Sequence, residues 1–327
     1  MQYYDLHPSL AQWMRDLNER LIALLAGESP TLRDAGMTVI GARGKRLRPV
    51  LLLLCCAGVG DVTERALLHA SLIELIHTAS LAHDDVVDEA DLRRGLPSAP
   101  ARWGNKFSIL LGDYLLARVF EQAIEDGELR ILHLLAHTSV QMGRAVVQEC
   151  AGLDLDAAEQ SYWEIIQGKT SSLFSAAAEI GSIVGGATPA QQQALGRLGW
   201  LFGNAFQLAD DLLNLQGTVE ETGKPPDIDW RQRRATLPLL YAIRTAPPSV
   251  AQHIRTLWQQ DPLETEQLNA LRACVESAGG FEYGWRTVKQ YREEAGTCLQ
   301  CLPDNPGRRA LTQLCTDAFP LPVMSTN

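Results

Sequence analysis

Three aspartates carry the first chemical signal. Asp84, Asp85 and Asp88 interrupt an apolar run that contains Leu72, Ile73, Leu75, Ile76, Leu81, Val86 and Val87. The run reads as a core helix. At roughly 100° per residue, Asp88 lies about 40° around it from Asp84 and about 60° from Asp85, so the three carboxylates share one face. Close carboxylates repel, and poor screening inside a protein raises their pKa values unless cations compensate them. Hard divalent cations are the natural compensation: magnesium suits carboxylate oxygens and keeps positions open for phosphate, whereas zinc wants Cys or several His. A solvated acidic face is the plainer reading, and the apolar flanks oppose it.

The pattern recurs at Asp210, Asp211 and Asn214, again at i, i+1 and i+4, with Phe206, Leu208, Leu212, Leu213 and Leu215 around it. Two such faces in one chain suggest a shared metal cluster. Cations stand elsewhere in Gly44-Lys45-Arg46-Leu47-Arg48-Pro49, Arg93-Arg94, Lys169-Thr170 and Lys224. Arg through its planar fork and Lys as a point charge are what binding of diphosphates requires beside divalent ions.

Taken together, GKRLRP (44–49), IHTASLAHDDVVDEADLRRG (76–95), KTSSLF (169–174), FQLADDLLN (206–214), GK (223–224) and TLPLL (236–240) resemble the trans-type prenyl diphosphate synthases, most closely the bacterial long-chain polyprenyl branch. The ordered set, rather than either acidic motif alone, carries the resemblance, which spans most of the chain from Gly41 to about Ile243. It implies a magnesium-dependent prenyltransferase that adds isopentenyl diphosphate units to an allylic diphosphate. It also implies an all-α fold, one domain of about a dozen helices around a central cavity, and a homodimer.

Site roles follow from the same resemblance. Asp84, Asp85, Asp88, Asp210, Asp211 and Asn214 bind metal; Lys45, Arg48, His77 and Arg94 grip isopentenyl diphosphate; Arg93, Lys169, Thr170, Gln207 and Lys224 serve the allylic side. Gln148 and Asp154 fall where the family has a polar patch. Read alone, His77 fits a satisfied core histidine, Lys169 a snorkelling surface residue, and the two arginines simple C-terminal capping. Product length is expected to depend on Ala79 and Ser80, about one helical turn below Asp84, because small side chains there leave a tunnel open for products longer than farnesyl.

The elements that must position these groups are legible in outline. Leu10, Trp13, Met14, Leu17, Leu21, Leu24 and Leu25 mark an amphipathic helix within 8–26. Pro49 is expected to begin the next helix, over 50–57. The first acidic helix is expected to run to about Asp91, followed by three long helices between Asn105 and Ile183 and one from about Gln191 to Leu215. Gly217 to Arg233 lacks periodicity and reads as a non-helical lid carrying Lys224. Beyond Thr236, helices break at Pro247-Pro248, Pro262, Gly279-Gly280 and Pro303 to Pro306. No strand-like alternation is seen.

Composition narrows the class further. The 327 residues, 46% hydrophobic, support a sizeable core, and the net charge of −10 opposes a nucleic-acid partner. The N-terminus lacks a signal-peptide pattern, and no apolar run approaches the roughly 20 residues of a membrane span. A cytoplasmic protein is expected. Of seven cysteines, only Cys298 and Cys301 form a CxxC, and buried or partly exposed thiols of a reducing compartment explain them better than metal.

Several positions depart from the family pattern. Asn214 replaces an aspartate; Gln232-Arg233-Arg234 stands where acidic-Gly-Lys is usual; and Pro225-Pro226-Asp227 occupies the place of a glycine. The C-terminus lacks the family's basic tail. All fall on the allylic side or its lid. They leave three alternatives to elongation: a short-chain farnesyl or geranylgeranyl synthase, a cyclase or irregular coupling enzyme, and a regulatory subunit of a heteromeric synthase. The intact isopentenyl grip opposes cyclisation, and the intact first acidic motif opposes a regulatory subunit.

Overall fold

The computed structural model describes residues 3–25, 29–41, 44–93, 95–153, 155–156, 159–216 and 227–319. A 3-10 turn at Tyr3–Asp5 leads into α1 (Leu10–Ala23), α2 (Pro30–Gly41), α3 (Leu47–Val59) and α4 (Glu64–Val87). A hairpin follows, β1 (Leu92–Arg93) with β2 (Leu96–Pro97), then α5 (Ala99–Trp103), α6 (Asn105–Asp126), α7 (Leu129–Cys150) and α8 (Glu159–Ile166). A π turn at Gln167–Ser171 joins α8 to α9 (Ser172–Val184). The remainder is α10 (Pro189–Gln216), α11 (Ile228–Arg231), α12 (Leu237–Thr245), α13 (Pro248–Trp258), α14 (Thr265–Ser277), α15 (Gly280–Cys298), a 3-10 turn at Leu299–Cys301 and α16 (Pro306–Asp317). The all-α class expected from the sequence holds.

Contacts gather the chain into two compact units, one drawn from Met1–Ser139, Leu173–Gly199 and Cys298–Leu314, the other from Val140–Ser172, Trp200–Thr297 and Cys315–Asn327. In the first, α4 is the central element and packs on α1, α2, α3, α5 and α6. Its buried positions include Leu67, Leu72, Ile73, Leu75, Ile76, Ala79 and Ala82. The buried hydroxyls of Ser71 and Thr78 return to the carbonyls of Leu67 and Glu74, each at 2.8 Å, so they add no unsatisfied donor. Apolar on every side, α3 is buried along most of its length, as a helix without a polar face must be.

The second unit is organised around the later part of α10, with Leu201, Phe202, Leu208, Leu212 and Leu215 buried. Two glycines let its backbones close on the π turn. A Cβ on Gly203 would lie 2.5 Å from Ser171 Cα, and one on Gly168 would lie 2.7 Å from Ala145 Cβ on α7. The turn is therefore clamped between α10 and α7.

Local expectations need correction in six places. The first acidic helix ends at Val87, with Asp88 as its cap, rather than near Asp91. Glu89 takes a left-handed φ of 49°, and the chain then forms the short hairpin that the absence of alternation did not foreshadow. The helix expected at Pro49 starts at Leu47, which places Pro49 in the first turn, where no intrahelical donor is needed. The third helix expected before Ile183 is interrupted by the π turn. Ile228–Arg231 is helical within the stretch read as non-helical, and α2 was not anticipated. The helix breaks beyond Thr236 fall where Pro and Gly placed them.

Candidate active site

In the first unit the basic loop is fixed by a residue to which sequence reasoning gave no role. Arg46 precedes α3 in a left-handed conformation, φ 49°, and its guanidinium donates to Glu74 on α4 and to the carbonyl of Ile40. Glu74 is buried and lies one helical turn before His77, so this pair tethers Lys45 and Arg48 to the His77 end of α4. Lys45 is exposed, Arg48 and His77 are half-buried, and the Arg48 guanidinium stacks 4.4 Å from the centroid of the Phe174 ring.

Seven residues past His77 on α4 the first acidic face begins. Asp85 is buried; Asp84 and Asp88 are half-buried. The hairpin returns Arg93 to Asp85, with Nε donating to Oδ1 at 2.6 Å and Nη2 to the same oxygen. Arg93 therefore compensates the acidic face through a direct ion pair. Ala79 is buried, and the half-buried Ser80 turns its hydroxyl onto the carbonyl of His77 at 2.8 Å.

In the second unit a hydrogen-bonded line runs through the second acidic face. Thr170 donates to Gln207 Oε1 at 2.9 Å, Gln207 Nε2 donates to Asp211 Oδ1 at 2.9 Å, and Tyr162 donates to Asp211 Oδ2 at 2.6 Å. Burial pushes the Asp211 carboxyl well up, Asp229 adds to the rise, and the bonds from Tyr162 and Gln207 oppose it. The Tyr162 phenol is likewise pushed up by burial and by Asp211. The half-buried Lys169 donates to Glu149 at the end of α7.

Asn214 brings no charge itself, but its amide donates to Asp229 Oδ2 at 3.3 Å, so a carboxylate does stand at that point. Tyr162, Glu149 and Asp229 escaped sequence reasoning. Tyr162 had one signal, its seven-residue spacing from Lys169 on the same helical run. Gln148 is exposed. Arg94, Lys224, Asp154 and the proposed lid over 217–226 lie outside the described residues.

Two departures from the family pattern have backbone explanations. Asp227 and Arg233, standing in the regions where glycines are usual, both take left-handed φ, 63° and 60°. Each is held by compensating bonds. Arg272 Nη2 reaches Asp227 Oδ1 at 2.5 Å, while Arg233 donates to the carbonyls of Trp258 and Gln260 and pairs with Asp261 at 3.2 Å.

On each face by itself the donors are hard carboxylate and amide oxygens, which suit magnesium or calcium rather than zinc. Among the described residues no three His, Cys, Asp or Glu side chains already converge on a metal position.

Residues 29–275 match the family described as polyprenyl synthetase, and the chain belongs to that family. It is 36% identical over 308 residues to the octaprenyl diphosphate synthase of Escherichia coli (strain K12), covering 93% of this chain and 94% of that one. Among solved structures, a decaprenyl diphosphate synthase from Rhodobacter capsulatus superposes with a TM-score of 0.90 at 35% identity, covering 97% of this chain and 98% of that one. A polyprenyl synthase from Caulobacter crescentus CB15, complexed with calcium and isoprenyl diphosphate, gives 0.87 at 32%, covering 97% and 96%. The protein is a prenyltransferase that elongates trans polyprenyl diphosphates beyond farnesyl.

Proposed function

We propose that the whole chain acts as one magnesium-dependent catalytic domain in which the residues above divide the two substrates between them. Lys45, Arg48, His77 and Arg94 hold the diphosphate of isopentenyl diphosphate. Arg93, Lys169, Thr170, Gln207 and Lys224 hold that of the allylic primer, and Asp84, Asp85, Asp88, Asp210, Asp211 and Asn214 provide the metal donors. Magnesium, where those residues hold it, would supply positive charge to the leaving pyrophosphate oxygen. The allylic C–O bond breaks with its electron pair going to pyrophosphate, the isopentenyl double bond forms the new C–C bond, and the proton whose loss restores a double bond passes to the departing pyrophosphate. The line from Thr170 through Gln207 and Asp211 to Tyr162 carries this reading best, because it ties the cationic π turn to the second acidic face.

Incubation with magnesium, labelled isopentenyl diphosphate and each allylic primer should give a ladder of products ending beyond farnesyl, read by mass. Asp84→Ala should cut turnover by about a thousandfold or more while circular dichroism stays unchanged. Near-normal turnover would sink the metal assignment, and loss of pyrophosphate from the primer without consumption of isopentenyl diphosphate would favour a cyclase.

The active species is a homodimer in this reading. Ile109, Leu110 and Ile124 on α6 and Leu129 on α7 are large apolar side chains that the single chain leaves exposed. Sedimentation should give twice the 35.9 kDa chain mass. No helix among the described residues is long and apolar enough to cross a membrane, and Cys56, Cys150, Cys274 and Cys301 are free thiols, which fits a cytoplasmic setting.

A further inference from the structure

Glu149 has no place in the roles assigned above, yet it holds two cations, Lys169 of the allylic set and Arg234, which has no role there either. Its Oε2 accepts from Lys169 Nζ, and its Oε1 lies 3.7 Å from Arg234 Nε. Arg234 Nη1 is also 3.8 Å from Asp229 Oδ1. The two cations come from separate elements, the π turn and the segment ahead of α12. One carboxylate therefore presents an oxygen to each, as the oxygens of a diphosphate would. The side chains of Lys169, Glu149 and Arg234 are 24%, 21% and 29% exposed, so an incoming anion can reach them.

We infer that Glu149 occupies Lys169 and Arg234 in the free enzyme as a stand-in for the allylic diphosphate, and so sets the affinity of that subsite. The inference rests on the assignment of Lys169 to the allylic diphosphate. Two cations gathered on one carboxylate repel each other, and that carboxylate removes the cost while the site is empty. A diphosphate carries more charge and more acceptor oxygens and displaces it. Displacement leaves Glu149 facing an anion, and that repulsion weakens binding. In repeated elongation pyrophosphate must leave after every addition. A carboxylate that returns to Lys169 and Arg234 competes with it and favours its departure.

Titration calorimetry with inorganic pyrophosphate at fixed magnesium, on the full-length enzyme, tests the inference. Glu149→Gln should bind about threefold to tenfold more tightly than wild type, the range of a partly exposed ion pair lost from the free state. In steady state the same variant should show a lower KM for the allylic primer and stronger inhibition by pyrophosphate. Unchanged binding overturns the inference. Weaker binding also overturns it, since Glu149 would then be organising the cations rather than competing for them. Lys169→Gln separates this from the underlying assignment: if it leaves pyrophosphate affinity unchanged, Lys169 is not a diphosphate ligand and both readings fall. If Lys169→Gln weakens binding while Glu149→Gln does not strengthen it, only the role of Glu149 falls. Glu149→Asp, one methylene shorter, should shift affinity in the same direction as Glu149→Gln and serves if that variant does not fold.

Discussion

Asp211 is a buried carboxyl held by two donors and repelled by two carboxylates, and the balance among them decides what it can do. Tyr162 and Gln207 each hold one oxygen, while Asp229 and Asp210 push the group toward its protonated form. Removing the phenolic donor with Tyr162→Phe leaves the ring in place and takes one bond from the carboxylate. A bond to a charged acceptor contributes about 1.5–3 kcal/mol, so the variant should melt earlier and should need more magnesium for half-maximal turnover. Circular dichroism melts and a magnesium titration of the rate check both. An unchanged magnesium requirement would make Tyr162 a packing residue only. The acidic residues themselves were legible because i, i+1, i+4 spacing inside an apolar run leaves a trace in sequence. Tyr162, Glu149 and Asp229 were not. Each meets its partner across 15 to 49 residues of chain, and such pairing follows no period.

At the scale of elements, the π turn is what the apolar pattern could not reveal. The run from Tyr162 to Phe174 keeps its apolar spacing through Ile165, Ile166 and Leu173, so it reads as one helix. The extra residue of a π turn reorients side chains without breaking the run, and such turns are frequent at functional sites. Here the turn presents Lys169 to Glu149 and Thr170 to Gln207. Gly203 permits it, since a Cβ there would meet Ser171 backbone at 2.5 Å and 2.9 Å from its Cβ. Gly203→Ala should therefore displace the turn, cost about 1–3 kcal/mol of stability and raise KM for the allylic primer more than for isopentenyl diphosphate. Equal rises in the two KM values would place the strain elsewhere. The hairpin after α4 escaped for another reason: strands of two residues are too short to alternate. Left-handed Glu89, Asp227 and Arg233 hid three turns, because glycine, the usual signal for that backbone, is absent at each.

For the whole molecule, acid stability depends on a buried knot in the first unit. His69 on α4 lies with Nε2 3.2 Å from Asp126 Oδ2, while Arg65 donates to both oxygens of Asp126 at 2.7 and 2.8 Å. Burial holds the His69 imidazole below its ordinary 6.5, with Asp126 pulling the other way. Asp126 is held below its ordinary 3.8, first by the bond from Arg65. A histidine whose folded pKa is depressed contributes stability that is complete above 6.5 and is lost as pH falls through the folded value. Asp126 follows the same sign, but only below 3.8. Asp211 runs the opposite way, because its raised pKa favours the folded chain at acid pH. The total pH profile thus mixes signs, and a difference between variants isolates one group. His69→Leu removes the charge that acid would bury. The melting temperature of wild type relative to that variant should fall as pH drops below about 6.5, the ordinary histidine value, and it should stay level above it. A constant difference on both sides of that value would show that His69 takes up its proton as readily folded as unfolded, and that acid instability begins at the carboxylates.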